Sequence, residues 1–318
     1  MSNLSGSSLA TVLLTTHLLK RPEAPLSPKE FWKMLATVED PARLLGCKAT
    51  EIQSITGLGP GDAERVASRL AGAEELEAER ERLELAQIMI LSRFDDGYPV
   101  RLHERLGSSA PPVLHVGGDP ALLADDGVGI VGSRSVGREA REVAEQVARA
   151  AVAAGLPVIS GVAKGIDRTA MGAAHEAQGR VIGLPADSLE RLLKDPSVAE
   201  GIETGRICLA TPYAPSAGFS VGGAMGRNKL IYGLSQVTLV VTADDGAGGT
   251  WAGAVEALQR KYAPVAIWMG AGAGPGNPKL LRKGAVAAES PAQVLSVGRT
   301  QNPEDEDEDE DEQLRMIF

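Results

Sequence analysis

The sequence has few aromatic residues, few cysteines and no cluster of metal-binding residue types. Phe, Trp and Tyr make up 3% of the 318 residues, so the core must be packed mainly by Ala, Val, Leu and Ile. The two cysteines, Cys47 and Cys208, stand far apart and outside any CxxC or Cys/His pattern. This spacing indicates neither a zinc site nor a disulfide framework, and we expect no metal and two buried thiols in a reducing compartment.

Membrane-spanning segments and catalytic pairs are also missing from the sequence. The apolar stretch at residues 8–19 is too short and too rich in threonine to span a bilayer, and no basic segment or small-residue cleavage site flanks it. We therefore expect a cytoplasmic protein that does not contact a membrane. No nucleophile stands beside a base, and the four histidines lie outside the glycine-rich turns described below. On these grounds no catalytic residue and no cofactor are expected.

The formal net charge of -10 comes mainly from the C-terminus. Nine consecutive acidic residues occupy positions 304–312. Without residues 304–318, which also contain Arg315, the chain has 33 acidic and 31 basic residues, a net charge of -2. The body of the protein is nearly neutral, so the overall charge does not exclude nucleic acid as a ligand.

Hydrophobic patterning divides the chain into three predicted parts. Residues 1–75 contain short helical segments separated by Pro and Gly, which predicts a small helical domain. In residues 76–300, apolar runs alternate with amphipathic stretches from Gly127 onward, which is typical of repeated βαβ units. Residues 301–318 are predicted to be a disordered acidic tail with an apolar tip. We predict strands at residues 128–131, 157–159, 181–184, 207–210, 237–242 and 265–269, and helices at residues 9–19, 28–37, 41–46, 50–56, 74–85, 138–154, 167–178, 227–234 and 250–262.

The predicted fold class is α/β, a Rossmann-like and mainly parallel sheet with helices on both faces, preceded by a small helical domain of the SAM or helix-hairpin-helix kind. Glycine-rich turns, GIVGSRSVG at 129–137 and SGVAKGID at 160–167, follow two consecutive strands. Small residues let the backbone approach an anion, and a helix amino end supplies free N–H groups. Two such turns fall on the same edge of a parallel sheet, where ligands of open α/β sheets bind.

Two further segments extend this predicted phosphate-binding edge. GRNK at 226–229 places two cations and an amide at a helix start, and GAGGT at 246–250 forms another turn after a strand. The alternative interpretation is structural: tight strand-to-helix turns that need glycine, and an exposed helix end. The predicted phosphate or DNA contacts are Gly132, Ser133, Arg134, Ser160, Gly161, Lys164, Gly165, Asp167, Arg227, Asn228, Lys229, Gly248, Gly249 and Thr250.

These segments resemble the successive signatures of the DprA/Smf family of DNA-processing proteins. The resemblance rests on GIVGSR (129–134), SGVAKGID (160–167), GRNKLIYGLS (226–235) and VVTADDGAGGTWAGAVEA (240–257), with FDDGYP (94–99) and PPVLH (111–115) as the lead-in. It spans about residues 90–270. The resemblance implies a Rossmann-like core that binds single-stranded DNA and hands it to a RecA-type recombinase, as in natural transformation, without catalysis. It also implies a homodimer formed through the core.

The sequence departs from the family pattern at three places. Ala170-Met171 replaces the usual Ala-His, the stretch before the basic trio is longer (FSVGGAMG, 219–226), and Gly248-Gly249-Thr250 replaces a Ser-Gly-Ser turn. Because related Rossmann-like families bind nucleotides with a GGxGT turn, two alternatives stay open. One is a nucleotide-sensing module of a phage-defence system. The other is a nucleotide phosphoribohydrolase that uses Glu256 in N-glycosidic cleavage.

Two features outside the core add further expectations. The stretch ITGLGPGDAERV at 55–66 resembles a helix-hairpin-helix, whose turn at Gly57 and Gly59 would aim N–H groups at a DNA phosphate. The alternative is a hairpin that serves packing only, since Asp62 and Glu64 beside the turn would repel DNA. For the acidic tail, the alternatives are a solubilising segment and a mimic of the acidic, Phe-ended tail of single-stranded DNA-binding proteins, which docks on partners or competes for the protein's own basic groove.

Overall fold

The computed structural model describes residues 4–299 of the chain, and its strands and helices alternate over most of that length. The strands are β1 (Met89–Ser92), β2 (Val113–Gly117), β3 (Val128–Val131), β4 (Val158–Ser160), β5 (Val181–Gly183), β6 (Ile207–Thr211), β7 (Val237–Val240), β8 (Val265–Trp268) and β9 (Val286–Ala288). The helices are α1 (Gly6–Thr15), α2 (Pro28–Val38), α3 (Ala49–Thr56), α4 (Pro60–Leu70), α5 (Ala73–Leu85), α6 (Arg101–Leu106), α7 (Arg138–Ala153), α8 (Ile166–Glu176), α9 (Leu189–Leu192), α10 (Pro196–Glu203), α11 (Val221–Leu234), α12 (Gly248–Arg260), α13 (Asn277–Leu281) and α14 (Pro291–Arg299).

The chain forms two compact units. Within the described residues, the first unit comprises residues 4–124 and 185–223, and the second comprises residues 125–184 and 224–299. The predicted domain division at residues 75 and 300 differs from these units and stays a prediction. The predicted tail, residues 301–318, lies outside the described residues. None of the described helices is long and apolar enough to cross a membrane.

The first unit combines the N-terminal helices with three antiparallel strands in the order β1-β2-β6. Its helices are tied together by buried polar groups. The guanidinium of Arg69, which is 4% exposed, donates to the carbonyl oxygens of Leu13 and Thr16 at the end of α1. The indole N–H of Trp32 donates to Ala110 O at 2.8 Å, and its ring stacks on His103. These bonds satisfy backbone oxygens at helix and turn ends, which explains why the charged and aromatic side chains are inside.

The second unit is a parallel sheet with the strand order β5-β4-β3-β7-β8-β9. From β3 the chain moves through β4 to β5 in one direction, and from β7 it moves through β8 to β9 in the other. Because crossovers in parallel sheets are right-handed, this reversal puts helices on both faces and creates a topological switch point between β3 and β7. The predicted α/β class with a mainly parallel sheet behind a helical region is confirmed.

Several predicted element boundaries change in the structure. All six predicted strands are present, and β1, β2 and β9 are additional, because strands of three to five residues carry little periodic signal. Helix α1 begins at Gly6 because the hydroxyl of Ser5 accepts a hydrogen bond from Ser8 N, and it ends at Thr15 instead of residue 19. Helix α11 begins at Val221, six residues before the predicted start at Arg227. The correction to α11 matters for the site described below.

A buried histidine in the first unit makes stability depend on pH. His115 lies in β2 between Ile90 and Thr211, and burial lowers its pKa to about 4. The unfolded chain therefore binds a proton that the folded chain does not, between about pH 4 and the ordinary value of 6.5. We expect the wild type to lose about 2 kcal/mol of unfolding free energy between pH 7 and pH 5 relative to His115→Leu. Urea unfolding of both proteins at the two pH values measures this, and parallel pH profiles would refute it.

Candidate functional site

The glycine turn after β3 lies at the switch point. Gly132 has no space for a side chain, because a Cβ there would lie 2.9 Å from Cβ of the buried Ile166. The amide of Ser133 donates to Thr242 O at 3.1 Å, which joins this turn to the segment after β7. Arg134 is exposed in the same turn. The turn after β3 thus presents a cation at the crevice where open α/β sheets bind ligands.

The turn after β4, residues 160–167, packs directly against the turn after β3. A Cβ on Gly165, whose φ is +83°, would lie 2.7 Å from Arg134 O, so the two backbones approach closely and glycine is required. Lys164 is exposed beside it. Ser160 is buried, and its hydroxyl donates to Ile130 O at 2.6 Å. The structure therefore brings the two predicted turns together, with Lys164 facing solvent and the Ser160 hydroxyl used inside the sheet.

Asp167 holds the shape of this second turn. Its Oδ2 accepts hydrogen bonds from the amides of Gly161 at 3.1 Å and Ala163 at 3.4 Å. The carboxylate occupies the place that an anion would take in such a turn, so these two N–H groups are directed at the protein's own side chain. Asp167 is 5% exposed, and burial raises its pKa to about 6, although the charge of Arg227 acts in the opposite direction. Asp167 is thus an organising residue of the turn.

Arg227 corrects the sequence-based picture of the basic trio. The trio lies inside α11 and not at its start, and Arg227 is 3% exposed. Its guanidinium donates to Leu184 O and packs against the Cα position of Gly161, next to Asp167. The buried guanidinium of Arg227 and the buried carboxylate of Asp167 together hold the turn at residues 160–167 in place. We therefore assign Arg227 a structural contribution to the site, whereas its predicted DNA contact stays a prediction.

The backbone of the second turn is strained at Val162. Its φ is +59°, a region that β-branched residues rarely adopt. Two hydrogen bonds from the flanking residues to Asp167 hold it there. Strain of this kind costs on the order of 1–3 kcal/mol and is concentrated at functional sites.

We expect Val162→Gly to raise the free energy of unfolding by about 1 kcal/mol. Glycine adopts positive φ without strain, and this relief exceeds the larger loss of chain entropy that glycine undergoes on folding. Val136→Gly is the matched control. Val136 is also half-buried in a glycine-rich turn but has an ordinary negative φ, so the same change there should lower stability. Urea unfolding measures both variants. Equal losses in both would show that the turn at Val162 is unstrained.

The segment after β7 forms the other side of the crevice. Helix α12 begins at Gly248. The side-chain amide of Asn228 donates to Gly249 O at 3.1 Å, so the basic trio at 227–229 contacts the GGT turn at 248–250. Thr250 follows in the first turn of the helix and is half-buried. Lys229 is half-buried. Three of the four predicted segments therefore meet through Asn228, Arg227 and Gly161. The fourth, the turn after β3, joins them where Arg134 O packs against Gly165.

A supporting residue that the sequence analysis missed is Asn277 at the start of α13. It is fully buried and makes three hydrogen bonds with main-chain groups at the ends of β7 and β8: Ala243 N donates to its Oδ1, and its Nδ2 donates to Val241 O and Trp268 O. These bonds hold the segment that leads into the GGT turn. The sequence gives no signal for this role, because residues 271–278 form a Gly- and Pro-rich stretch that predicts only a loop.

The structure separates Glu256 from the crevice. It lies two turns into α12, about 12 Å along the helix axis from Gly248, and its Oε1 accepts a hydrogen bond from Tyr262 beyond the far end of the helix. The carboxylate on which the phosphoribohydrolase alternative depended is thus displaced from the glycine turns. Within residues 4–299, no three His, Cys, Asp or Glu side chains are grouped as a metal ion would require.

The predicted hairpin in the first unit has the expected form. Helices α3 and α4 are joined by a three-residue turn, in which Gly57 has a φ of +70° and Gly59 precedes α4. The basic residue nearest the turn, Arg65, bonds to the carbonyl oxygens of Ala24 and Pro25 and to Glu30. Because Arg65 is bonded within the protein, the hairpin is better explained by packing than by DNA contact. DNA contact by Gly57 and Gly59 stays a prediction.

The fold defines a Rossmann-like α/β protein whose glycine turns gather at the β3–β7 switch point, the candidate ligand site. The model of the family described as DNA recombination-mediator protein A matches residues 89–298, well over half of the chain. The chain belongs to this family, which confirms the predicted DprA/Smf relationship.

Individual relatives are distant. The chain is 28% identical over 141 residues to DNA processing protein DprA of Bacillus subtilis and 30% identical over 165 residues to Protein Smf of Synechocystis. These matches cover 43% and 48% of this chain but only 47% and 39% of the relatives, so the chain spans less than half of each.

Among solved structures, DprA from Streptococcus pneumoniae superposes with a TM-score of 0.66 at 22% identity, covering 85% of this chain and 98% of that one. DNA processing protein A from Helicobacter pylori, a structure whose description concerns single-stranded DNA binding, gives 0.54 at 22% identity, covering 66% and 94%. At this level of identity, the two likenesses establish the fold.

Proposed function

We propose that this protein binds single-stranded DNA along the carboxyl edge of its parallel sheet and acts as a non-enzymatic mediator of recombination. The observation that carries the proposal is the convergence of the glycine turns at the switch point, with Arg134 and Lys164 exposed on the turns after β3 and β4. Flexible cations recognise phosphate without reading sequence. Membership of a family of DNA recombination mediators supports DNA as the source of the phosphates.

The test is the salt dependence of oligonucleotide binding. We expect the wild type to bind a single-stranded oligonucleotide with an affinity that falls steeply as salt rises, because bound cations release counterions from the DNA. Arg134→Ala and Lys164→Ala should each weaken binding roughly three- to tenfold, and each lost phosphate contact should flatten the log–log salt slope by about 0.7. Fluorescence anisotropy at several salt concentrations gives both quantities.

Lys261→Ala is the matched control. Lys261 is an exposed lysine of the same unit, but it follows α12 at the end away from the glycine turns, so its removal should leave the slope unchanged. Wild-type protein that shows no salt-dependent binding to single-stranded DNA would overturn the proposal. Tight binding of a nucleoside phosphate without polymer binding would favour the nucleotide-sensing alternative.

We further propose, from the family relationship, that the bound strand is handed to a RecA-type recombinase and that the protein acts as a homodimer. A mediator should shorten the lag of recombinase filament formation on DNA that is already covered by a single-stranded DNA-binding protein. Arg134→Ala should reduce this effect in proportion to its loss of DNA affinity. Sedimentation of the purified chain tests the dimer independently.

A further inference from the structure

Among the described aromatic residues of the second unit, Trp251 alone is not buried. Tyr232, Tyr262 and Trp268 are at most 6% exposed, whereas Trp251 is half-buried. Aromatic residues make up 3% of the sequence, so the core of this unit takes up most of the few that it has. A large ring that is left partly in water is available to a ligand.

The indole N–H groups show the same contrast. The indole of Trp268 donates to Ala271 O at 2.9 Å, as the indoles of buried tryptophans normally do. Within residues 4–299, the indole of Trp251 has no hydrogen-bond partner and no aromatic neighbour, and its nitrogen is not buried. The fold therefore makes no polar use of this side chain.

Trp251 lies at the carboxyl edge of the sheet, directly after the GGT turn. It is the fourth residue of α12, which begins at Gly248. Helix α11 packs on the side of α12 that carries Gly249 and Gly253, because the Cβ positions of both glycines lie within 3.6 Å of Asn228. Trp251 is two residues from each glycine, about 200° around the helix, so its ring lies on the side away from α11. The ring thus stands beside the GGT turn without being covered by α11.

The charges along this edge favour a base, and not a phosphate, at Trp251. Arg134 and Lys164 are exposed on the turns after β3 and β4. On the β7 side, Asp244 and Asp245 are exposed, and Asp245 is paired with a lysine of α13. Because carboxylates repel phosphates, a strand held by the two cations turns its bases toward the β7 side. Strands β4 and β7 flank β3, so their ends are about 10 Å apart, within reach of a short single strand.

We propose that Trp251 stacks on a base of the bound strand while Arg134 and Lys164 hold its phosphates. The inference rests on the proposed function, because it assigns a further contact to the same site. Stacking on an aromatic ring needs a base whose face is free, which a single strand offers and a duplex does not. Every base has a π-face, so this contact is tolerant of sequence. Trp251 is therefore the residue that makes the site prefer single-stranded DNA.

Tryptophan fluorescence of the wild type tests the stacking with two ligands, an oligothymidine and an abasic strand of the same length. A stacked base quenches indole emission by contact, and Trp32 and Trp268 are too buried to report it. We expect saturating oligothymidine to quench the emission and the abasic strand, which carries the same phosphates, to leave it unchanged. Trp251→Phe should show no quenching with either strand. Quenching by the abasic strand, or none by saturating oligothymidine, would overturn the proposal.

Anisotropy titrations with the same two strands measure the contribution to affinity. Trp251→Leu keeps an apolar side chain but removes the ring, so it should weaken oligothymidine binding roughly tenfold and leave binding of the abasic strand unchanged. Trp251→Phe should recover most of the loss. The log–log salt slope should be the same in all three proteins, because the phosphate contacts are unaltered. An equal loss for both strands would show that Trp251 only supports the turn and would refute the stacking.

The same titrations separate the inference from the proposed function. If the wild type binds neither strand in a salt-dependent way, the proposed function fails and the stacking fails with it. If the wild type binds both strands with equal affinity, the proposed function stands and the stacking alone is refuted. Trp251→Leu should also bring the affinity for a single strand closer to that for a duplex of the same length. An unchanged ratio of these two affinities would contradict the assignment of strand preference to Trp251.

Discussion

Gly161→Ala is expected to disrupt the candidate site and to destabilise the fold. A Cβ at this position would lie 2.6 Å from Oδ2 of Asp167 and closer still to the guanidinium of Arg227. Arg227 ends in a flexible group, but it is 3% exposed and bonded to Leu184 O, so it has nowhere to move. We expect a loss of about 3 kcal/mol of unfolding free energy, from overpacking together with displacement of a buried charge.

The same substitution should lower affinity for single-stranded DNA by at least about tenfold, because the turn that carries Lys164 can no longer close on Asp167. Gly172→Ala is the control. Gly172 lies in α8, is exposed and has nothing within 4 Å of its Cβ position, so alanine there should stabilise the helix by about 0.5–1 kcal/mol. Urea unfolding and anisotropy titrations measure both effects. Equal changes in stability and in DNA affinity in the two variants would contradict the close packing around Gly161.

Asp167 should tolerate asparagine but not alanine. Alanine leaves the amides of Gly161 and Ala163 without an acceptor and Val162 without the bonds that hold its positive φ. Two unpaired buried N–H groups cost about 1–3 kcal/mol each, so we expect Asp167→Ala to lose about 3 kcal/mol or more. Asparagine keeps an acceptor oxygen and removes a charge whose burial is unfavourable. We expect Asp167→Asn to stay within about 1 kcal/mol of the wild type at pH 7.

The pH dependence separates the hydrogen bonds from the charge. The pKa of Asp167 is about 6 in the folded protein, above the ordinary value of 3.8, so the folded state binds the extra proton. The stability that this group contributes is present below about pH 3.8 and is lost as pH rises through 6. Asp167→Asn should remove that slope, which urea unfolding between pH 4 and 7 reveals. Equal destabilisation by Ala and Asn at pH 7 would mean that the charge next to Arg227, and not the loop hydrogen bonds, maintains the site.

The turns could be predicted from sequence because their chemistry is local. A buried run followed by glycines and then a helix pattern indicates a strand, a turn and a helix, as found at 128–138 and 158–166. The common edge of these turns follows from the rule that parallel strands end on the same side. The strands β1, β2 and β9 were missed because strands of three to five residues are defined by their pairing partners and not by periodicity.

The positions of Arg227 and Asn277 could not be predicted, because both depend on distant parts of the chain. GRNK looked like an exposed helix start, yet α11 begins six residues earlier and turns Arg227 inward toward Gly161 and Asp167. Asn277 appeared to belong to a plain loop, yet it bonds to the ends of β7 and β8. A side chain's burial is set by what packs on it, and that information is not in its own segment.

The sequence by itself determined the α/β class, the positions of the core strands along the chain, the glycine turns and the family, because periodicity, glycine and short signatures are local properties. It also determined that the negative charge of the chain lies at 304–312. Only the tertiary structure decided which predicted contacts face solvent. Lys164 and Arg134 are exposed, whereas Ser160, Asp167 and Arg227 are buried and hold the turns in place. The physical reason is that a buried polar group must find its partner across the fold, and strand order and helix packing supply that partner.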